Sequence, residues 1–161
     1  MANSKKVLYL LRHGEAEPGF GQIGDYERPL TDKGKKQINR LAVELFKSGV
    51  ELDLMVSSSS KRTMETARIL SSILTCKKSD SFPDLYEADP KTILRVINQT
   101  DASIQNLLIV GHNPGISALA TFLSGETYLI MKPGMLAKLE IYMEDWASVG
   151  QNTAGLIEII Q

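Results

Sequence analysis

The chain holds two histidines, His13 and His112, and each closely follows a short apolar run: Val7–Leu11 before Arg12-His13-Gly14, and Leu107–Val110 before Gly111-His112-Asn113-Pro114. An imidazole serves as acid, base, metal ligand or nucleophile, and its neighbours decide which. Arg12 sets a fixed positive charge beside His13 and opposes a divalent cation, so no metal is expected here. The same guanidinium favours an anion and can grip a phosphoryl group through two parallel hydrogen bonds. It also disfavours the imidazolium form, which keeps His13 neutral and nucleophilic near pH 7. Arginine beside histidine therefore suits phosphoryl transfer to nitrogen. The bland alternative, a histidine that merely caps a strand end, fits either residue alone but loses weight when both stand at one sheet edge.

The elements that must bring the histidines together can be read from periodicity. Val7–Leu11 and Leu107–Val110 are too short for helices and read as buried strands. Thr31 is an N-cap for a helix carrying Ile38, Leu41, Ala42, Leu45 and Phe46 on one face, stopped at Gly49. A strand over Leu52–Val56 leads into four serines, and from Ser60 a helix carries Met64, Ala67, Leu70 and Leu74. A weaker strand is expected near Phe82–Tyr86, then a helix capped by Asp89, with Pro90 at its first position and Ile93, Leu94 and Ile97 behind it. Ile116, Leu119, Ala120 and Leu123 mark another helix, ending at Gly125. Leu136–Met143 and Leu156–Ile160 read as an antiparallel pair with no helix between them.

Strands alternating with helices predict a three-layer α/β/α sandwich with a mostly parallel central sheet and an antiparallel strand near the C-terminus. Ligands in such sheets bind beyond the carboxyl ends of the strands, so the loops Arg12–Glu15, Ser57–Arg62 and Gly111–Pro114 should share one edge. Between Glu15 and Pro29, Pro18, Gly19, Gly21 and Gly24 interrupt any period and mark a long loop. With 161 residues, 43% of them hydrophobic, residues 1–161 are expected to form one domain around one core.

Charge and cysteine content narrow the class. The 18 Lys and Arg against 19 Asp and Glu give a net charge of -1, which argues against nucleic-acid or anionic-membrane partners. The longest apolar run, Val7–Leu11, is far shorter than the roughly 20 residues a bilayer span needs, and no signal-peptide core is visible, so a cytoplasmic protein is expected. Cys76 stands alone, which excludes an internal disulfide and a thiolate zinc site. The basic run Lys33, Lys35, Lys36 and Arg40 reads as a solvated helix face, and Tyr9, Met55, Met64, Met131 and Met135 as core or near-core residues.

Four ordered motifs carry a resemblance: Leu10-Leu11-Arg12-His13-Gly14-Glu15-Ala16; Arg28-Pro29-Leu30-Thr31 with Gly34; Ser57-Ser58 with Arg62 and Thr66-Ala67; and Gly111-His112-Asn113-Pro114. Together, from about residue 7 to residue 123, they resemble the histidine phosphatase superfamily, and within it the small SixA-type phosphohistidine phosphatases. The resemblance implies that His13 attacks phosphorus, Arg12 and Arg62 clamp the phosphoryl oxygens, His112 bonds the transferring group and Arg28 adds a further cation. Fixed donors of this kind suit a loose, dianionic transition state, and backbone amides at the helix starts after Ser60 and Asn113 could add to them. It implies no cofactor.

Two positions stretch the pattern. Ser59 stands where the family has proline, which suggests a looser loop before Arg62. The family's general acid, a glutamate in a Leu-x-Glu segment, matches Glu87 in Leu85-Tyr86-Glu87, while Glu15 and Asp25 are other carboxylates the long loop can bring close. An alkoxide leaving group needs such an acid, whereas imidazole leaves more readily. Only about 50 residues separate Arg62 from His112, which leaves little chain for a lid and implies a shallow, open site. The expected activity is a metal-independent phosphatase working through a phosphohistidine intermediate on a phosphorylated protein, such as a histidine-containing phosphotransfer domain, and releasing phosphate ion. A small-molecule phosphomonoester phosphatase or mutase of the same fold is the alternative, and a non-catalytic phosphoprotein-binding module is the alternative from another class. A pure binding site, however, has no use for a neutral nucleophile between its arginines.

Overall fold

A computed structural model describes residues 5–19 and 24–161. Gly21 of the long loop lies outside the described residues. The strands are β1 (Lys6–Arg12), β2 (Leu54–Ser58), β3 (Ser79–Phe82), β4 (Asn106–Gly111), β5 (Leu136–Ile141) and β6 (Ala154–Ile160). The helices are α1 (Asp32–Lys47), α2 (Lys61–Ile73), α3 (Pro90–Asn98) and α4 (Gly115–Ser124). The strands form one sheet in the order β3-β2-β4-β1-β5-β6, in which β3, β2, β4 and β1 pair in parallel. Only β5 runs against the rest, pairing antiparallel with both β1 and β6.

Alternation along β1 divides the core. Leu8 and Leu10 face one side with Ile93 and Ile97 of α3 and Ile116, Leu119 and Leu123 of α4. Tyr9 and Leu11 face the other with Ile38, Leu41 and Leu45 of α1 and Ala67 and Leu70 of α2. A strand buried on both faces needs an unbroken apolar run, which is what Val7–Leu11 and Leu107–Val110 provide. This is the three-layer sandwich expected from the sequence.

Caps fix where the helices begin and end. The Thr31 side chain accepts from the Gly34 amide at 2.8 Å, and Asp89 accepts from the Thr92 amide at 2.8 Å ahead of Pro90. Gly49 follows α1 with φ +77°, a backbone state that favours glycine. Four expectations change. Phe46 belongs to the α1 apolar period but is 59% exposed, at the flank of the buried stripe. The Leu52–Val56 strand is displaced to Leu54–Ser58, so two serines are inside it. The strand expected over Phe82–Tyr86 ends at Phe82, because Pro83, which has no N–H for the ladder, opens a 3₁₀ turn over Pro83–Leu85. β5 stops at Ile141, and a 3₁₀ turn over Trp146–Ser148 precedes β6.

Register levels the strand ends. Arg12 pairs with Gly111 and Val110 pairs with Ser57, so the residues after β1, β4 and β2 emerge side by side with β4 in the middle. The loop after β1 is held down by α1: Thr31 N–H donates to the Glu15 carbonyl at 2.9 Å, and Gln37 Oε1 accepts from the Glu15 amide at 3.0 Å. This approach requires Gly34, where an added Cβ would lie 2.1 Å from the Glu15 carbonyl oxygen. Gly34→Ala should therefore lower unfolding free energy by about 1–3 kcal/mol and reduce activity through the displaced Glu15 segment. Urea unfolding checks the first effect, and an unchanged midpoint contradicts the packing account.

Candidate active site

Arg12, His13, Arg62 and His112 are each placed by a strand end or the helix after it, whereas Asp25 and Arg28 come from the loop between β1 and α1. Arg12 closes β1, and the His13 amide donates to the Gly111 carbonyl at 3.2 Å, tying it to β4. The Gly134 amide donates to the His13 carbonyl at 2.8 Å, and the Gly14 amide to Thr66 Oγ1 on α2 at 3.2 Å. Arg62 belongs to the first turn of α2. The loop before it is spanned by hydrogen bonds, one of them made by Ser59, which stands where proline was expected. Thr63 Oγ1 donates to the Ser58 and Ser60 carbonyls at 2.7 and 2.9 Å, and Ser59 Oγ accepts from Tyr26 Oη at 2.6 Å.

The hydrogen bonds assign both imidazole tautomers. Nδ1 of His13 lies 2.7 Å from the Gly14 carbonyl, which only accepts, so Nδ1 carries the proton. Nε2 keeps its lone pair and accepts from Arg62 Nε at 3.3 Å. Nδ1 of His112 faces Arg62 Nη2 at 3.2 Å, and a guanidinium only donates, so Nε2 of His112 carries the proton and donates to Ser58 Oγ at 2.9 Å. The two rings meet edge to face with centroids 5.3 Å apart. Burial, with Arg62 beside the ring, pushes His13 down to about 4 and His112 down to about 3, so both are neutral at pH 7. Arginine was expected to keep His13 neutral; burial contributes more.

Arg62 is 3% exposed and reaches beyond the histidines to Asp25. Its Nη1 donates to the Asp25 carbonyl at 2.7 Å and its Nη2 to Asp25 Oδ2 at 3.1 Å. Arg28 Nη1 donates to Asp25 Oδ1 at 2.8 Å, and the Tyr86 hydroxyl donates to Oδ2. The Tyr86 bond and the two arginines hold the Asp25 carboxyl well below the usual carboxylate range, while burial and Asp25 push Tyr86 up to about 12. Arg12 Nη1 donates to the Met131 carbonyl at 3.0 Å, which also accepts from Asn113 Nδ2 at 2.7 Å. Arg12 Nε is buried without a protein partner among the described residues.

Arg12, His13, Arg28, Arg62 and His112 therefore converge. Glu87 does not join them: it is exposed on the turn after Tyr86, with φ +48°. The carboxylate bonded into the cluster is Asp25. Tyr86 escaped the sequence reading, although it is the middle residue of Leu85-Tyr86-Glu87 and buried Leu85 anchors that turn. Asp25 was among the carboxylates that the long loop was expected to bring close, and it stands three residues before Arg28.

Because both imidazoles titrate near 6.5 when unfolded and near 4 and 3 when folded, the unfolded chain binds more protons across that interval. Stability should be complete above about pH 7 and fall as pH drops toward 4, by on the order of 1 kcal/mol or more per histidine at pH 5. Urea unfolding at pH 7.5 and 5 measures this, and His13→Asn should shrink the difference. Equal stability at both pH values would contradict buried neutral histidines.

The profile of the histidine phosphatase superfamily (branch 1) matches residues 8–93, a stretch that includes Arg12, His13, Arg28 and Arg62. An uncharacterized protein of Mycobacterium tuberculosis strain H37Rv is 28% identical over 114 residues, 71% of this chain and 70% of its own. Among solved structures, a proposed phosphohistidine phosphatase SixA from Nakamurella multipartitia superposes with TM-score 0.86 at 24% identity, covering 98% of this chain and 96% of its own. A proposed alpha-ribazole-5'-phosphate phosphatase from Escherichia coli K-12 superposes with TM-score 0.70 at 21% identity, covering 97% and 96%. At these identities the structural likeness establishes the fold.

Proposed function

We propose that this chain, which belongs to the histidine phosphatase superfamily (branch 1), is a phosphatase that works through phosphorylated His13 and whose substrate is phosphohistidine on another protein. The observation that carries the mechanism is the His13 tautomer: Nδ1–H is bound to the Gly14 carbonyl, which leaves Nε2 unprotonated, so that once the phosphoryl group displaces the Arg62 Nε contact its lone pair attacks without a base. Arg12, Arg28 and Arg62 would hold the three phosphoryl oxygens, and His112 beside Arg62 would complete the cradle. A loose transition state asks for such fixed donors more than for covalent help. Water then takes the phosphoryl group from His13, regenerates the neutral ring and yields phosphate. No metal or cofactor enters, and residues 1–161 would act as a single domain.

The substrate assignment rests on the leaving group. Asp25, the carboxylate in the cluster, is bonded to two arginines and a tyrosine and stays ionised, so it cannot protonate an alkoxide. Glu87 is outside the cluster. Imidazole leaves without that help. Residues 63–111 are taken up by α2, β3, α3 and β4, with no inserted lid, which favours a substrate presented on a protein surface and disfavours mutase chemistry. The likeness to the alpha-ribazole phosphate phosphatase fold supports a second reading, hydrolysis of a small phosphomonoester.

A leaving-group series in chelator separates the two. Turnover should be fastest on a phosphorylated histidine-containing phosphotransfer domain, slower on p-nitrophenyl phosphate, and slower again, by about 100-fold or more, on an alkyl phosphate such as glycerol phosphate. Glu87→Gln should alter the first two by less than about threefold. Alkyl phosphate turned over as fast as the phosphoprotein would favour the small-molecule reading; binding without turnover would favour a phosphoprotein-binding module.

A further inference from the structure

His13 lies at the floor of the site, 7% exposed, whereas Asp25 and Tyr26 stand at its rim. The Asp25 side chain is 40% exposed and Tyr26 is 38% exposed. Transfer to His13 Nε2 is in line, so the leaving group departs on the side of phosphorus away from the nucleophile. With the nucleophile at the floor, that side is the rim. Arg62 spans the same path, with Nε 3.3 Å from His13 Nε2 and Nη2 3.1 Å from Asp25 Oδ2.

Resting on the phosphohistidine reading above, we propose that Asp25 receives the leaving imidazole, its carboxylate accepting a hydrogen bond from the substrate ring N–H on the nitrogen not bonded to phosphorus. Arg28 occupies Oδ1, and Arg62 and Tyr86 occupy Oδ2. A carboxylate offers about four acceptor sites, so one remains on this half-exposed side chain. Tyr26 and Tyr86, edge to face with centroids 4.9 Å apart, form an aromatic wall beside Asp25 against which a planar ring can pack.

In its reactive form the substrate ring is cationic, with phosphorus on one nitrogen and a proton on the other. A bond forms between His13 Nε2 and phosphorus while the substrate P–N bond breaks, its electron pair staying on the released nitrogen. The substrate ring keeps its proton and leaves neutral, and the His13 ring takes on the positive charge, with phosphorus on Nε2 and hydrogen on Nδ1. An ionised carboxylate at the rim stabilises the cationic substrate ring before transfer and orients it. An alkoxide or phenolate carries no such proton and meets like charge instead. Asp25 is thus a specificity residue for nitrogen over oxygen leaving groups.

The test compares kcat/KM of wild type and Asp25→Asn on free phosphohistidine and on p-nitrophenyl phosphate, whose phenolate leaves unprotonated. The loss on phosphohistidine should exceed the loss on the ester by about tenfold or more. Equal losses would assign Asp25 to holding Arg28 and Arg62 alone and overturn the inference, as would no loss on either. Tyr86→Phe, which keeps the carboxylate but frees it, should give a smaller loss with the same selectivity, and serves if Asp25→Asn folds poorly; equal or absent losses there would also overturn it. Wild type inactive on phosphohistidine but active on the ester would overturn the function reading as well, whereas wild type active on phosphohistidine with an unselective Asp25→Asn would overturn this inference alone.

Discussion

A buried guanidinium organises this protein. Removing a cation from water costs several kcal/mol unless partners replace its hydration, and Arg62, 3% exposed, finds them in His13, His112 and both the carbonyl and carboxylate of Asp25. Because a guanidinium only donates, it fixes the acceptor nitrogen of each imidazole and therefore the tautomer of both. The acceptor nitrogens of His13 and His112 follow from that single side chain, while burial contributes most to keeping both rings neutral. Asp25 cross-links Arg62 to Arg28, so three arginines carry an excess of two positive charges, the complement of a dianionic phosphoryl group.

The sheet exists to make that convergence possible. β4 sits between β1 and β2 with their ends level, so residues separated by about fifty positions in the chain emerge next to one another. Two hydroxyls fasten the arrangement to the scaffold: Ser58 at the end of β2 accepts from His112, and Thr66 of α2 accepts from the Gly14 amide while donating to the Arg62 carbonyl. On the other side, the Met131 carbonyl gathers Arg12 and Asn113. The preorganised hydrogen bonds that electrostatic catalysis requires are therefore anchored in regular structure at most points, with Asp25 and Arg28 supplied by the loop.

Local pattern revealed what local physics determines. Buried parallel strands demand apolar runs, so β1 and β4 were visible, and with them the placement of Arg12, His13 and His112. Caps at Thr31 and Asp89 were equally plain. Arg62 and Arg28 became legible only through resemblance, because their contacts with the histidines and Asp25 are tertiary and leave no periodic trace. Phe46 misled because the apolar stripe of α1 is narrower than its periodicity. Pro83 decided where β3 ends, and that turn brings Tyr86 to the site and leaves Glu87 exposed. The substitution of Ser59 for proline suggested a loose loop, but its hydroxyl accepts from Tyr26, a contact no one-dimensional pattern encodes.

His13, held by Arg62 and the Gly14 carbonyl, is the residue proposed to carry the phosphoryl group. Rapid-quench trapping tests it most directly: the protein is mixed in chelator with a ³²P-labelled histidine-containing phosphotransfer domain, quenched in base and mapped by peptide. The expected result is label on His13, acid-labile and base-stable, that forms and decays at rates compatible with turnover. Turnover with no label on His13, or with label on another residue, would contradict it.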